Sequence, residues 1–402
     1  MTNRFQINRK FLHELLIWMI WTQTILMQYV RAAVMRFPII GAYPDAVITI
    51  IYVIVIIIAL PEIKVTAHDF LFVLGFTVLF IIESLFRGQD NSYLAAYFPN
   101  FLLTTLSLYL IGVSLTADDN ENGIIRHLYI LSILTIILNF LYKVVFGTPM
   151  DAIMSQYQGD MNLAYNLLPH CCLVSYYARK KPNVINVSLT IFSAFYLLML
   201  GTRGAALIML ICIAWNLVTD RDSRKTIVKI VALFGTVAAF LSSSLYNTFI
   251  LWMYQMAQKM GLSIRIFDKL LAGTEMGSSG RDGITEKLFV SINDHFLLGS
   301  GLCSDRMIVG IYAHNILVEL WVEFGVIIGS LILGILIYTL LRGFMSSDRG
   351  GERGLIMALI CSSFLKLFLS GSYMDDKMLF LLIGLCVGAI RKSKYKNFAE
   401  DV

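Results

Sequence analysis

Residues 278–329 read SSGRDGITEKLFVSINDHFLLGSGLCSDRMIVGIYAHNILVELWVEFGVIIG, and the change of character inside this stretch decides the fold. Its first part is polar and glycine-rich and carries Arg281, Lys287, His295 and Arg306. It then passes through Ala313-His314-Asn315 into a long apolar run. A polar piece of this length in an otherwise apolar chain has to meet water, and the run behind it has the composition of a membrane helix.

The rest of the chain supports that division. Of 402 residues, 57% are hydrophobic and 15% charged, and mean hydropathy is +0.73. Soluble domains carry about 25% charged residues, so the composition is that of an all-α polytopic membrane protein. The apolar run after Arg9-Lys10 has spanning length and no small-residue cleavage site, so it reads as a first membrane helix. With roughly 20 apolar residues to a span, about twelve spans are expected. They fall near 11–31, 46–61, 69–87, 99–116, 124–146, 161–178, 184–200, 204–219, 227–249, 315–341, 355–371 and 374–390. Together they form a single membrane domain over 1–402. Basic residues gather in alternate loops, at Arg4, Arg9 and Lys10; Arg179, Lys180 and Lys181; Arg221, Arg224 and Lys225; Arg342, Arg349 and Arg353; and Arg391, Lys392, Lys394 and Lys396. The positive-inside rule then makes both termini cytoplasmic. Residues 250–313 become one large external loop, and the Gly201-Thr202-Arg203-Gly204 turn is external too. Apolar residues at Trp252, Met256 and Met260, and at Ile284, Leu288, Ile292 and Phe296, predict short amphipathic helices on the outer membrane face.

Polar groups within spans are costly and tend to face the protein interior. Arg31, with Arg36 just beyond it, lies at the outer end of the first span. Asn315, Glu319 and Glu323 recur every four residues from the outer end of the tenth. Such groups concentrate in the outer halves of the helices, which predicts an outward-facing polar cavity. Arg203 sits at a turn too short to reach far into water. There it can anchor an ordinary headgroup, or its planar donors can fork onto a diphosphate. Arg281 follows Gly277-Ser278-Ser279-Gly280 at the expected start of a helix. That position suits either a solvated arginine or an anion ligand. His314 at the mouth of the tenth span is either an interfacial polar residue or a general base. Lys287, Arg265 and Arg306 read as ordinary surface charges, and Asp118-Asp119 and Asp375-Asp376 as solvated loop charges. Cys171, Cys172, Cys212, Cys361 and Cys386 fall in apolar runs and only Cys303 in the long loop, so the cysteines read as buried apolar residues. No metal-ligand spacing, phosphate loop or nucleophile elbow is present, and there is no basic-aromatic surface for nucleic acid.

Two patterns resemble the superfamily of O-antigen polymerases and ligases, integral membrane glycosyltransferases that act on polyprenyl-diphosphate-linked glycans. One is Arg-x-x-x-Leu at Arg203 to Leu207, after a Gly-Thr similar to the family's Gly-Ser. The other is His-Asn, nine residues, then Gly, at His314, Asn315 and Gly325. Between them lie Ser279-Gly280-Arg281, similar to a Ser-x-Arg segment, and Leu297-Leu298-Gly299-Ser300-Gly301, similar to Leu-x-Gly-x-Gly. The resemblance covers about 195–330. It implies that Arg203 and Arg281 bind the donor diphosphate and that His314 is the catalytic base, with Asn315, Glu319, Arg31 and Arg36 in support. It implies no metal and no cofactor. The implied substrate is an undecaprenyl-diphosphate-linked oligosaccharide, and the implied place is the outer face of a bacterial cytoplasmic membrane. Membrane lipid is a further partner, and a chain-length regulator protein is one the resemblance allows. The ligase pattern has Gly, Thr or Tyr three positions after Gly325; here Ile328 stands there and Gly329 one later. The expectation is therefore a polymerase of lipid-linked repeat units, for O-antigen, capsule or exopolysaccharide. The alternatives are ligase-type transfer to lipid A core or another acceptor, and a lipid-linked sugar flippase or transporter.

Overall fold

In the computed structural model the described residues are 18, 20–22, 43, 46–47, 50–51, 53–54, 57, 65–87, 92–115, 121–146, 160–200, 202–218, 244–259, 282–348 and 350–400. All regular elements among them are helical. In order these are α1 (Ala67–Arg87), α2 (Ser92–Asn100), a π-helical stretch at Phe101–Leu106, α3 (Ser107–Leu115), α4 (Glu121–Phe146), α5 (Asp160–Lys180), α6 (Val184–Met199), α7 (Arg203–Val218), α8 (Ser244–Lys259), α9 (Asp282–Asp294), α10 (Ser304–Val309), α11 (Ile316–Ser346), α12 (Gly351–Leu359) and α13 (Lys377–Glu400).

Three of these stretches are long and apolar enough to cross a membrane: Ala67–Phe86, Tyr93–Leu115 and Ile316–Ser346. Shorter apolar helices occupy Ile125–Leu141, Val184–Met199 and Arg203–Leu217. The outward residues of α1 include Phe70, Leu71, Leu85 and Phe86. A helix that exposes such side chains is compatible with lipid and unsuited to water. Of the expected spans, 11–31 and 227–249 lie mostly outside the described residues, as does much of 46–61.

The chain divides into two compact units: residues 1–18, 45–125 and 278–402 form one, and residues 19–44 and 126–277 the other. In the first, α13 is the central helix. It meets α3 where Gly112 and Gly384 face each other: a Cβ on Gly384 would lie 2.1 Å from the Tyr109 carbonyl oxygen, and one on Gly112 would lie 2.4 Å from that of Leu381. Only glycine allows backbones this close, the usual device for packing helices where apolar burial gives no drive. At the other end of α13, Arg391 Nη1 reaches Asp69 Oδ2 at 2.6 Å. Asp69 also accepts from the Tyr109 hydroxyl at 2.8 Å and from the backbone N–H and hydroxyl of Thr66, at 2.8 Å each. The last two bonds cap the start of α1.

In the second unit, buried polar pairs join α7 to α5 and α6 to α4. Asn216 Nδ2 donates to Ser175 Oγ at 3.0 Å, and the Tyr196 hydroxyl donates to Asn139 Oδ1 at 2.5 Å. Asn183 caps α6 by accepting from Asn186 N at 2.7 Å. α8 runs through residue 250, the expected start of the long loop. Its buried face is Ile250, Met253 and Ala257, while Trp252 is exposed. Trp252, of the expected stripe, lies on the exposed face and Met256 is half-buried; Met260 lies outside the described residues.

Candidate functional site

The stretch quoted at the outset folds as a cap in the first unit. α9 forms as its apolar spacing predicts: Leu288 and Ile292 are buried, and they pack with Ala313, Val318 and Val322. The helix ends before Phe296, which is left exposed. α10 follows, and then a turn delivers His314 to the head of α11.

Residues 315–341 were expected to form one continuous span. Instead, α11 breaks at Gly325, whose φ is 78° and ψ 165°. In a straight helix Trp321 and Ser330 would be about 13 Å apart along the axis; here the Trp321 indole N–H donates to Ser330 Oγ at 2.9 Å. The chain therefore folds sharply between them. The break has a visible cause. Ser300 N–H and Gly301 N–H donate to the Val322 and Glu323 carbonyls at 2.7 and 2.8 Å, and Val326 N–H donates to the Phe296 carbonyl at 2.8 Å. The glycine-rich segment takes over the hydrogen bonding that a straight helix would do for itself. Gly299 and Gly325 are both at positive φ, and a Cβ on Gly299 would lie 2.4 Å from Gly325 N. The Leu297–Gly301 pattern and Gly325 are thus two sides of one contact. Gly329, one place beyond the motif position held by Ile328, packs against the other half of the break: a Cβ there would lie 2.5 Å from the Leu320 carbonyl oxygen. Ile328 faces outward.

The first segment of α11 carries the polar stripe. Asn315 is its N-cap and accepts from Leu317 N–H at 2.9 Å; its Nδ2 donates to the Phe368 carbonyl at 3.2 Å. Glu319 and Glu323 are buried, and both are fully partnered, as two carboxylates on such a helix require. Glu319 Oε1 faces Arg306 Nη1 at 3.3 Å and accepts a short hydrogen bond from the Ser372 hydroxyl, while Oε2 accepts from Tyr373 N–H at 3.2 Å. Glu323 Oε1 accepts from Cys303 N–H at 2.8 Å and Oε2 from the Tyr373 hydroxyl at 2.5 Å.

The cation of this cluster is Arg306, which the sequence reading placed among ordinary surface charges. It is 2% exposed. Nη1 also binds Asp305 Oδ1 at 2.8 Å, Nη2 binds Ser372 Oγ at 2.6 Å and Asp375 Oδ2 at 3.3 Å, and the guanidinium lies 4.6 Å from the centre of the Tyr97 ring. Burial works against its charge, but Asp305 and Glu319 outweigh burial and hold it firmly protonated. Of the acidic pair Asp375-Asp376, Asp375 is exposed as expected, whereas Asp376 is buried. Asp375 bridges to Arg306, and buried Asp376 pairs with Lys366 at 2.5 Å. Sequence separation hid this cluster: Asp305, Arg306, Glu319 and Ser372 to Asp376 come together only in the fold. One signal was available, because two carboxylates on an apolar helix demand a cation or donors nearby.

The carboxylates of Asp305, Glu319 and Glu323 converge to within 4.8 Å, a donor set that could hold a metal ion. Every one of their oxygens already accepts from a protein donor, however. Asp305 Oδ1 takes the Arg306 N–H and Nη1, and Oδ2 takes Ala313 N–H at 2.9 Å. The cluster is a hydrogen-bonded network around an arginine.

That network positions His314. Asp305 holds Ala313, the residue before it, and Asn315, the residue after it, caps the helix. His314 itself has φ 60°, in the left-handed region, and its ring lies 4.2 Å from that of Tyr312, centre to centre. A non-glycine residue in that region costs about 1–2 kcal/mol and persists where its surroundings over-determine it. Its side chain is half-buried, at the boundary of the cap.

Arg203 lies in the second unit, exposed, at the first turn of α7 behind buried Thr202. Beside it, a Cβ on Gly204 would lie 2.1 Å from the Tyr165 hydroxyl oxygen, so a side chain there would displace the Tyr165 ring. Arg31, Arg36 and Arg281 lie outside the described residues. No protein-family model and no curated protein sequence matches the chain.

Proposed function

We propose that the protein is a polyprenyl-diphosphate-dependent glycosyltransferase of the cytoplasmic membrane of a bacterium, polymerising lipid-linked oligosaccharide repeat units on the outer face. The observation that carries this reading is His314, an imidazole held in a strained left-handed turn between Ala313, which the buried network fixes through Asp305, and Asn315, which caps α11. Strain of this kind is typical of functional positions. The histidine belongs to a His-Asn-x9-Gly pattern whose glycine forms the break in α11, so the motif residues have physical roles in one small piece of structure.

In this reading the acceptor sugar hydroxyl attacks the anomeric carbon of the donor glycan. The new C–O bond forms as the bond to the diphosphate oxygen breaks, and the electron pair leaves with the diphosphate. His314 takes the hydroxyl proton. Arg203 and Arg281 hold the diphosphate and stabilise its growing negative charge. One displacement inverts the anomeric carbon, and polyprenyl diphosphate is released.

The sidedness follows from about twelve spans with both termini cytoplasmic. Two polar clusters of the first unit support it. Arg306, Glu319 and Asp375 gather next to the start of α13, and Asp69 and Arg391 lie roughly 21 Å further along its axis. The slab between them is apolar. The Arg391 end carries the basic residues assigned to the cytoplasm, which supports the reading that the His314 cap faces outward.

Purified protein incubated with lipid-linked repeat units alone tests the assignment. A ladder of products identifies a polymerase, and reaction only after a second acceptor is added identifies a ligase. No transfer with any acceptor, together with substrate movement across vesicles, would establish a flippase instead.

A further inference from the structure

The turn after α9 exposes Phe296, Leu297 and Leu298 at 48%, 60% and 78%. A row of bare apolar side chains on an external cap is a liability in water. Residues 296–303 read FLLGSGLC and contain no charge.

The backbone of this tip is locked to the point where the trans-bilayer part of α11 begins. The Phe296 carbonyl accepts from Val326 N–H at 2.8 Å, and the Leu297 carbonyl lies against Gly325, where a Cβ would come within 2.3 Å of its oxygen. Residues 326–346 run for about 30 Å at 1.5 Å per residue, the thickness of a bilayer core. The first outward residues of that segment, Ile327 and Ile328, are exposed, as are Leu331 and Ile335 further along. Trp321, bonded through its indole N–H to Ser330, puts an amphipathic ring at the same level, as is common where a helix enters the interface. The tip therefore shares its depth with the head of a lipid-compatible helix and continues that helix's apolar character.

We propose that Phe296–Leu298 is a membrane anchor of the cap, inserted among the acyl chains of the leaflet that α11 enters at residue 326. No charged side chain of the tip has to be desolvated, and Gly299 and Gly325 let it lie against the broken helix. Because the same segment hydrogen-bonds to Val322 and Glu323, the anchor sets the depth of the His314 turn relative to the headgroups. The inference rests on the membrane placement above and is independent of the chemistry assigned to His314.

The full-length protein carrying Leu298→Cys is labelled with a bimane fluorophore and placed in lipid nanodiscs. A second position, Phe296→Cys, covers failure of the first to fold, and Glu286→Cys on the exposed side of α9 is the aqueous control. The native protein, whose described cysteines are all buried, sets the labelling background. Nitroxide-labelled acyl chains should quench the tip several-fold more than the control, and aqueous iodide should show the reverse order. Equal iodide quenching at 298 and 286 would put the tip in water and overturn the proposal. Protection from both quenchers would overturn it too, by showing that protein covers the tip, either a second copy or another segment of this chain.

Discussion

Arg306→Met tests the central claim about the cap, that one buried arginine holds three carboxylates and, through them, the His314 turn. The substitution roughly keeps the volume and removes the charge. It breaks the contacts to Asp305 at 2.8 Å, Glu319 at 3.3 Å and Ser372 at 2.6 Å, all between groups excluded from water. The contact to Asp375 counts for less, since that side chain is 42% exposed and such pairs contribute about 0–1 kcal/mol. Removing one partner of a buried ion pair costs about 3–5 kcal/mol, because the remaining charges are left uncompensated. The expected loss is therefore about 3–5 kcal/mol, measured by steric-trapping unfolding in bicelles. Lys287→Met, on the exposed side of α9, should change stability by less than about 0.5 kcal/mol. Adding Glu319→Gln to Arg306→Met should recover part of the loss, with a coupling of about 0.5–3 kcal/mol. A loss below about 1 kcal/mol for Arg306→Met, or strict additivity in the double variant, would refute the network as the element that holds the cap.

His314→Gly should leave stability within about 1 kcal/mol of the parent, since glycine accepts the left-handed turn freely, yet abolish product ladders; retained polymer would remove His314 from the mechanism. Gly325→Ala should cost on the order of 3 kcal/mol in the same unfolding assay, from positive φ plus overlap with Leu297. The Cys303 thiol, pushed up by burial and then by Glu323, should resist alkylation of the folded protein even at mildly alkaline pH and react once it is unfolded. Transfer by the purified protein should survive EDTA, because in the proposed mechanism Arg203 and Arg281 supply the charge a divalent cation would bring to the diphosphate; loss with EDTA and recovery with Mg²⁺ would contradict this.

The helical class was legible because composition and apolar run length act locally: a residue's preference for lipid needs no knowledge of its neighbours in space. The same holds for α9, whose buried Leu288 and Ile292 were readable from their spacing. The facing of α8 was not legible, because its apolar residues surround the helix and only the packed neighbours select Ile250, Met253 and Ala257. Arg306 and Asp376 were misread as solvated for a related reason. A charged residue in a loop-like stretch resembles a surface residue until its partners, tens of residues away, are brought to it.

The sequence by itself determined a helical chain with runs apolar enough to cross a membrane, one long polar stretch and a histidine at the mouth of an apolar helix. Only the tertiary structure decided that this helix is broken at Gly325. The break needs the Gly299–Gly301 segment to supply hydrogen bonds from outside the helix, and no local propensity encodes that supply. It also decided that the cap is built around Arg306, because pairing of buried charges is a property of distance in space and not of distance along the chain.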